Sequence, residues 1–193
     1  MPTVSTSQHD ALEPRAYRDV LGLLATGISV IVTEQHGQIH AMTANAVSSL
    51  SLDPMLILFC PGKRSKMAAC LEDMEHFSIN FLRHEQQALS SYFAGGWQGS
   101  CAPPFRFVPW LGAPRLEGSL ASLSCERHDR VDAGDHWIVI GRVIALHRGI
   151  EPAVPLIFFR GNYRELASTA GSPAPELDPV DELPQIFYDR WHA

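Results

Sequence analysis

The sequence has no C-x-x-C pair, no glycine-rich phosphate loop after a strand and no apolar run longer than about one strand, and each gap closes off a class of function. Cys60, Cys70, Cys101 and Cys125 are widely spaced, without a short-spaced histidine to complete a tetrahedral site, so neither structural zinc nor a disulfide framework is expected. The longest apolar run, around Met55–Cys60, falls far below the roughly 20 residues a membrane helix needs, which predicts a soluble protein with no membrane partner. Charge is sparse at 19%, and the net charge of −6 leaves no surplus of Lys and Arg for a nucleic-acid backbone. The sequence also lacks G-x-G-x-x-G in a strand-to-helix context, G-x-S-x-G and H-E-x-x-H. Those gaps argue against a Rossmann dinucleotide domain, a nucleophile-elbow hydrolase and a zinc protease. No signal peptide is evident, so the expected setting is cytoplasmic, with reduced and mostly buried thiols.

What remains is an apolar chain of 193 residues, 46% hydrophobic, long enough for one core. Residues 1–13 read as a mobile polar arm, 14–166 as the folded domain, and 167–193 as a tail. Four prolines in that tail, Pro173, Pro175, Pro179 and Pro184, preclude regular structure, and its terminal aromatics, Phe187, Tyr188 and Trp191, are expected to dock on this subunit or a neighbour. Tyr17, Val20, Leu21 and Leu24 predict a helix over Pro14–Ala25 with one buried face, stopped by Gly27. Strands are predicted over Ile28–Thr33 and Ile39–Thr43, joined by a Gly-containing turn, and over Met55–Cys60, His76–Leu82, Gly118–Glu126, Trp137–His147 and Val154–Phe159. Short helices are predicted over Ser65–Leu71 and Glu85–Phe93. The Gly- and Pro-rich stretch Gly95–Pro114 reads as a long loop. Six or more strands beside three helices, without regular β-α alternation, predict a mainly β (α+β) protein and favour a barrel.

Three segments carry candidate chemistry. The run Ala41–Pro54 sets small hydroxyl and amide side chains between two apolar strands, which lets backbone N–H groups and Oγ atoms approach a planar, hydrogen-bonding ligand. A polar loop or irregular strand satisfying its own backbone explains the same residues. Lys63-Arg64-Ser65-Lys66 precedes a predicted helix and can seat a phosphate, or can be a solvated charged turn. Gly134-Asp135-His136 opens a strand, where His136 can lie over a cofactor at a barrel rim or be a structural histidine.

The order of five stretches resembles the flavin reductase-like family, which includes the small reductase components of two-component flavin monooxygenases. These stretches are Ala25-Thr26-Gly27, Met42–Pro54, Phe77–Leu82 with Leu89–Ala94, Gly134-Asp135-His136 and Pro155–Tyr163, and together they span about Arg15–Leu166. The resemblance implies an antiparallel Greek-key split barrel that binds FMN or FAD near a homodimer interface and takes hydride from NADH or NADPH. It further implies that reduced flavin reaches a partner monooxygenase by diffusion.

Residue by residue, the resemblance puts Thr43, Ala44 and Asn45 along the flavin ring and Ser48, Ser49 and Ser51 on its ring and ribityl chain. Lys63, Ser65 and Lys66 match the phosphate positions and Phe93 the cofactor's edge. Gly134, Asp135 and His136 match the nicotinamide side, where His136 is the leading candidate for orienting the reductant and Tyr163 a secondary one. The chain departs from the pattern at Asn45-Ala46-Val47, which lacks a hydroxyl and an aromatic ring, and at Ala41, where Gly is common. A flavin-binding electron carrier or sensor without reductase activity, and a cofactor-free barrel, are the rival readings.

Overall fold

The computed structural model describes residues 13–150 and 152–166. The predicted arm, apart from Glu13, and the whole predicted tail lie outside the described residues. A first helix, α1 (Pro14–Leu21), leads into strands β1 (Thr26–Gly27), β2 (Ser29–Gln35), β3 (Gln38–Ala44), β4 (Val47–Leu52) and β5 (Met55–Phe59). Helix α2 (Lys66–Cys70), strand β6 (His76–Phe81), a 3-10 turn and helix α3 (Gln87–Phe93) follow. The chain continues through β7 (Phe107–Val108), β8 (Arg115–Leu116), β9 (Ala121–Ala133), β10 (His136–Arg148), β11 (Ile157–Phe159) and β12 (Asn162–Arg164).

Seven strands form one antiparallel sheet in the order β3-β2-β6-β9-β10-β5-β4. The two edge strands, β3 and β4, are consecutive in the chain, and only Asn45 and Ala46 separate them. The sheet therefore curls round to bring its own ends together without pairing them, which is a split barrel. Its interior holds Ile31, Ala44, Ile57, Phe59, Phe77, Ile79, Cys125 and Val139, and Met67, Leu71 and Met74 from α2 and the turn after it join the same core. A second core of Val30, Val32, Leu82, Leu89, Leu116 and Leu156 lies on the opposite face of β2. This explains why β2 is buried on both sides and reads as an unbroken β-branched run.

The alternation in β6 has a different cause. Phe77 and Ile79 enter the barrel, but Ser78 and Asn80 are fully buried too. Asn80 Nδ2 donates to Val30 O at 3.0 Å, and its Oδ1 accepts from Leu116 N and Ser122 Oγ at 2.9 Å each. Ser78 Oγ donates to Pro114 O at 2.6 Å. These satisfied polar groups fasten the 107–119 segment to the sheet, as buried hydrogen-bonding groups must be partnered.

Several expectations need correction. The first helix ends at Leu21, and Thr26-Gly27 pairs with β11 instead of capping the helix. Its apolar face is exposed among the described residues: Tyr17 and Val20 are 60% and 65% exposed. The Ala41–Pro54 run, read as a polar loop or an irregular strand, comprises the end of β3, a two-residue link, β4 and the turn at Asp53-Pro54. The strands expected at Gly118–Glu126 and Trp137–His147 are a single hairpin of two 13-residue strands, closed by Gly134-Asp135 with Gly134 at φ +70°. The charged stretch Arg127–Arg130 concealed this extension, because those side chains lie along a ribbon and not over the core. Within the predicted long loop, Phe107-Val108 forms β7 and pairs with β8. The strand expected over Val154–Phe159 shortens to Ile157–Phe159 and returns as β12.

Candidate functional site

A cleft of about 720 Å³ opens where β3, the start of α2, the end of α3 and the loop before β7 meet. Ala41 and Met42 come from β3, Ser65, Lys66 and Met67 from the α2 turn, and Tyr92 and Phe93 from α3. His40 from β3 and the rings of Phe105 and Phe107 supply more of the wall. The rings form a connected shelf: Phe93 lies 5.0 Å from Phe105 and 5.9 Å from Phe107, and Phe105 lies 5.7 Å from Tyr92. Such offset and edge contacts hold an aromatic surface in place for a flat ligand. Arg106, between these two rings in sequence, hydrogen-bonds Glu117 through Nε at 2.6 Å and through Nη2, linking the loop end to the segment after β8.

One end of the cleft is polar. Ser65 caps α2, its Oγ accepting from Ala68 N at 3.1 Å, and its own hydroxyl proton stays available to donate. Lys66 is exposed at the same end and, among the described residues, forms no ion pair. Lys63 differs. Its Nζ is 2.7 Å from Asp132 Oδ2 and sits 4.7 Å from the Trp137 ring centroid, with Arg130 on that ring at 4.6 Å. The Lys63 ammonium beside Asp132 holds its carboxyl below the usual range.

This pairing belongs to a clamp. The tip of the β9–β10 hairpin bonds to the segment before α2: Lys63 N donates to Asp135 O at 2.9 Å and Trp137 N to Pro61 O at 3.0 Å. Gly62 bridges His136 across the same contact. Asp135 Oδ1 lies 2.7 Å from His136 Nδ1, and the hydrogen bond from His136 lowers the Asp135 pKa. An ionised carboxylate can only accept, so Nδ1 carries the proton and Nε2 is the nitrogen left for a ligand. The Nε2 edge faces Gly62, where an added Cβ would stand 3.5 Å away.

The expected site residues thus fall into groups. Ser65, Lys66 and Phe93 line the cleft together. Gly134, Asp135, His136 and Lys63 assemble on the clamp, and Lys63 lies two residues before Ser65 in the chain. Thr43 Oγ1 donates to Ser90 O, Ala44 is buried in the barrel, and Tyr163 Oη pairs with Ser90 Oγ. Asn45, Ser48 and Ser49 are exposed and Ser51 half-buried on the β4 side of the seam, away from the cleft lining. Sequence reasoning missed His40, Tyr92, Phe105 and Phe107. Phe105 and Phe107, two aromatics spaced two apart inside a proline-rich loop, were the available signal.

An apolar, ring-lined slot with a hydroxyl and an exposed lysine at one end fits a planar tricyclic ring with a phosphate-bearing tail. Fold and cleft define a split-barrel flavoprotein. A family model described as "Flavin reductase like domain" matches residues 21–167. The reductase subunit HsaB of a flavin-dependent monooxygenase from Rhodococcus jostii is 37% identical over 94% of this chain and 93% of its own. An NADH-dependent flavin reductase from a Rhodococcus species is 36% identical over 79% and 86%. Among solved structures, the flavin reductase PheA2 superposes with a TM-score of 0.75 at 37% identity, covering 81% of this chain and 99% of that one. The chain belongs to the flavin reductase-like family and is a nicotinamide-dependent flavin reductase.

Proposed function

We propose that this reductase uses NADH to reduce FMN or FAD bound in the Phe93 cleft and releases the reduced flavin to a partner monooxygenase, working as a cytoplasmic homodimer. The observation that carries the site assignment is the aromatic slot ending in Ser65 and Lys66, adjoining the hairpin that presents His136. When bound, a flavin would supply the redox chemistry by taking up hydride from the nicotinamide. The chain's own part is placement. Phe93 and Phe105 exclude water from the ring, Ser65 and Lys66 hold the phosphate, and His136 Nε2, oriented by Asp135, aligns the reductant.

The relatives named as an NADH-dependent reductase and as a monooxygenase reductase subunit support the choice of reductant and the partner. The uncovered apolar face of α1, with Leu50, Leu52 and Met55 exposed around β4 and β5, supports a second copy as the cover. The chain is tested by mixing it with NADH, NADPH and each flavin anaerobically and following the fall in flavin absorbance. Turnover with NADH is expected. Flavin held tightly and reduced by dithionite, but by neither nicotinamide, identifies an electron carrier instead.

A further inference from the structure

We propose that Tyr163 is a positioning residue for flavin binding, whose hydroxyl sets α3 against β3 and so fixes the Phe93 wall of the cleft. The proposal rests on the flavin reading of that cleft. Tyr163 belongs to β12 and does not line the slot; its ring packs T-shaped on Phe158, 5.5 Å away, in the second core. Its Oη lies 2.9 Å from Ser90 Oγ and 3.5 Å from Ser91 Oγ. Ser90 is fully buried, and its carbonyl accepts the Thr43 hydroxyl at 2.7 Å. One serine of α3 therefore joins three elements that are distant in sequence: β12, α3 and β3.

The location of Ser90 gives this junction its effect. Tyr92 and Phe93 follow on the same helix, and both line the cleft. Helix α3 has seven residues, too short to hold its orientation by its own hydrogen bonds, so contacts to neighbouring elements decide how it is rotated. Leu89 buries one side of the helix against the second core. The Tyr163 and Thr43 hydroxyls fix the helix at Ser90, one turn before Phe93. Ala41 and Met42, beside Thr43 on β3, are the facing wall, so the Thr43 bond sets the distance across the slot.

The full-length chain is compared with Tyr163→Phe, Tyr163→Phe/Ser90→Ala, Phe93→Ala and Tyr163→Phe/Phe93→Ala, reading the flavin Kd by fluorescence quenching, the KM for NADH, and the Tm. Loss of one buried hydrogen bond predicts a flavin Kd about three- to tenfold higher for Tyr163→Phe, with the KM for NADH within about twofold of wild type. The double change with Ser90→Ala removes both partners, so the Tm recovers while the flavin Kd stays high. In the Phe93→Ala background, Tyr163→Phe produces no further change in Kd. The proposal is overturned if the flavin Kd of Tyr163→Phe matches wild type, if Kd recovers together with Tm in the Ser90 double, or if the effect persists without Phe93. A wild-type chain that quenches no flavin fluorescence removes the cleft reading itself, and this inference with it.

Discussion

At His136 the hydrogen bond to Asp135 turns the ring so that one nitrogen is committed and the other is presented. Replacement by alanine removes the presented nitrogen together with the exposed Nδ1–Asp135 bond. The expected result is a KM for NADH raised about tenfold, the size of one lost hydrogen bond, with the flavin Kd nearly unchanged; equal losses in both would misplace the residue. Ser65→Ala combined with Lys66→Ala has the opposite signature. It is expected to weaken FMN by about tenfold or more and lumiflavin, which lacks the phosphate, by much less, as isothermal titration would record. Residues of this kind were legible in the sequence because a hydroxyl–lysine pair before a helix and a Gly-Asp-His turn are local patterns. His40, Phe105 and Phe107 were not, because their role arises only when β3 and a distant loop meet. Thr43 and Tyr163 were singled out from sequence as ligands for the cofactor or reductant, yet their hydroxyls face α3, a direction that no spacing rule contains.

Among the elements, β9 and β10 cross the barrel at a tight point. Gly141 of β10 lies where an added Cβ would collide with the Phe77 ring and stand 2.9 Å from Cys125 Cβ. Gly141→Ala is therefore expected to cost about 1–3 kcal/mol, read as a lower denaturation midpoint at unchanged m. Burial pushes the Cys125 thiol, on the facing strand, up to about 12 from 9.0. The unfolded chain loses that proton first, so this contribution is intact below pH 9.0 and is lost as pH rises towards about 12. Stability is expected to fall there by up to about 1.4 kcal/mol per pH unit, and Cys125→Ala should flatten the slope in denaturant titrations across that window. The strands β2, β5 and β6 were readable from β-branched and alternating patterns. The length of the β9–β10 hairpin was not, because its outer half is polar and held by cross-strand pairing and by Lys63 and Arg130 on Trp137 instead of by a core.

On the scale of the whole molecule, α1 is the clearest mismatch between pattern and single-chain structure. Its periodicity announced a buried face, and Tyr17, Val20, Leu21 and Leu24 are all exposed in one chain. A second copy that covers them reconciles the two, and predicts a sedimentation mass of about twice 21.3 kDa. Val20→Glu with Leu24→Glu is expected to shift the protein towards monomer and to make its Tm depend less on concentration. A wild-type monomer at micromolar concentration would refute the pairing. The split-barrel fold itself was legible from strand count and motif order, and the seam between β3 and β4 followed only once the register was known.

The two sides of the proposed site are anchored by different kinds of contact. The hairpin bearing His136 is laddered along nearly all of its length and bolted at its tip to Pro61 and Lys63, whereas the Phe93 side rests on a seven-residue helix and an aromatic loop. On the proposed assignment the donor side is held by backbone ladders and the acceptor side by side-chain contacts. If that assignment holds, substitutions between Gly95 and Phe107 are expected to retune which flavin is carried while the KM for NADH stays near wild type.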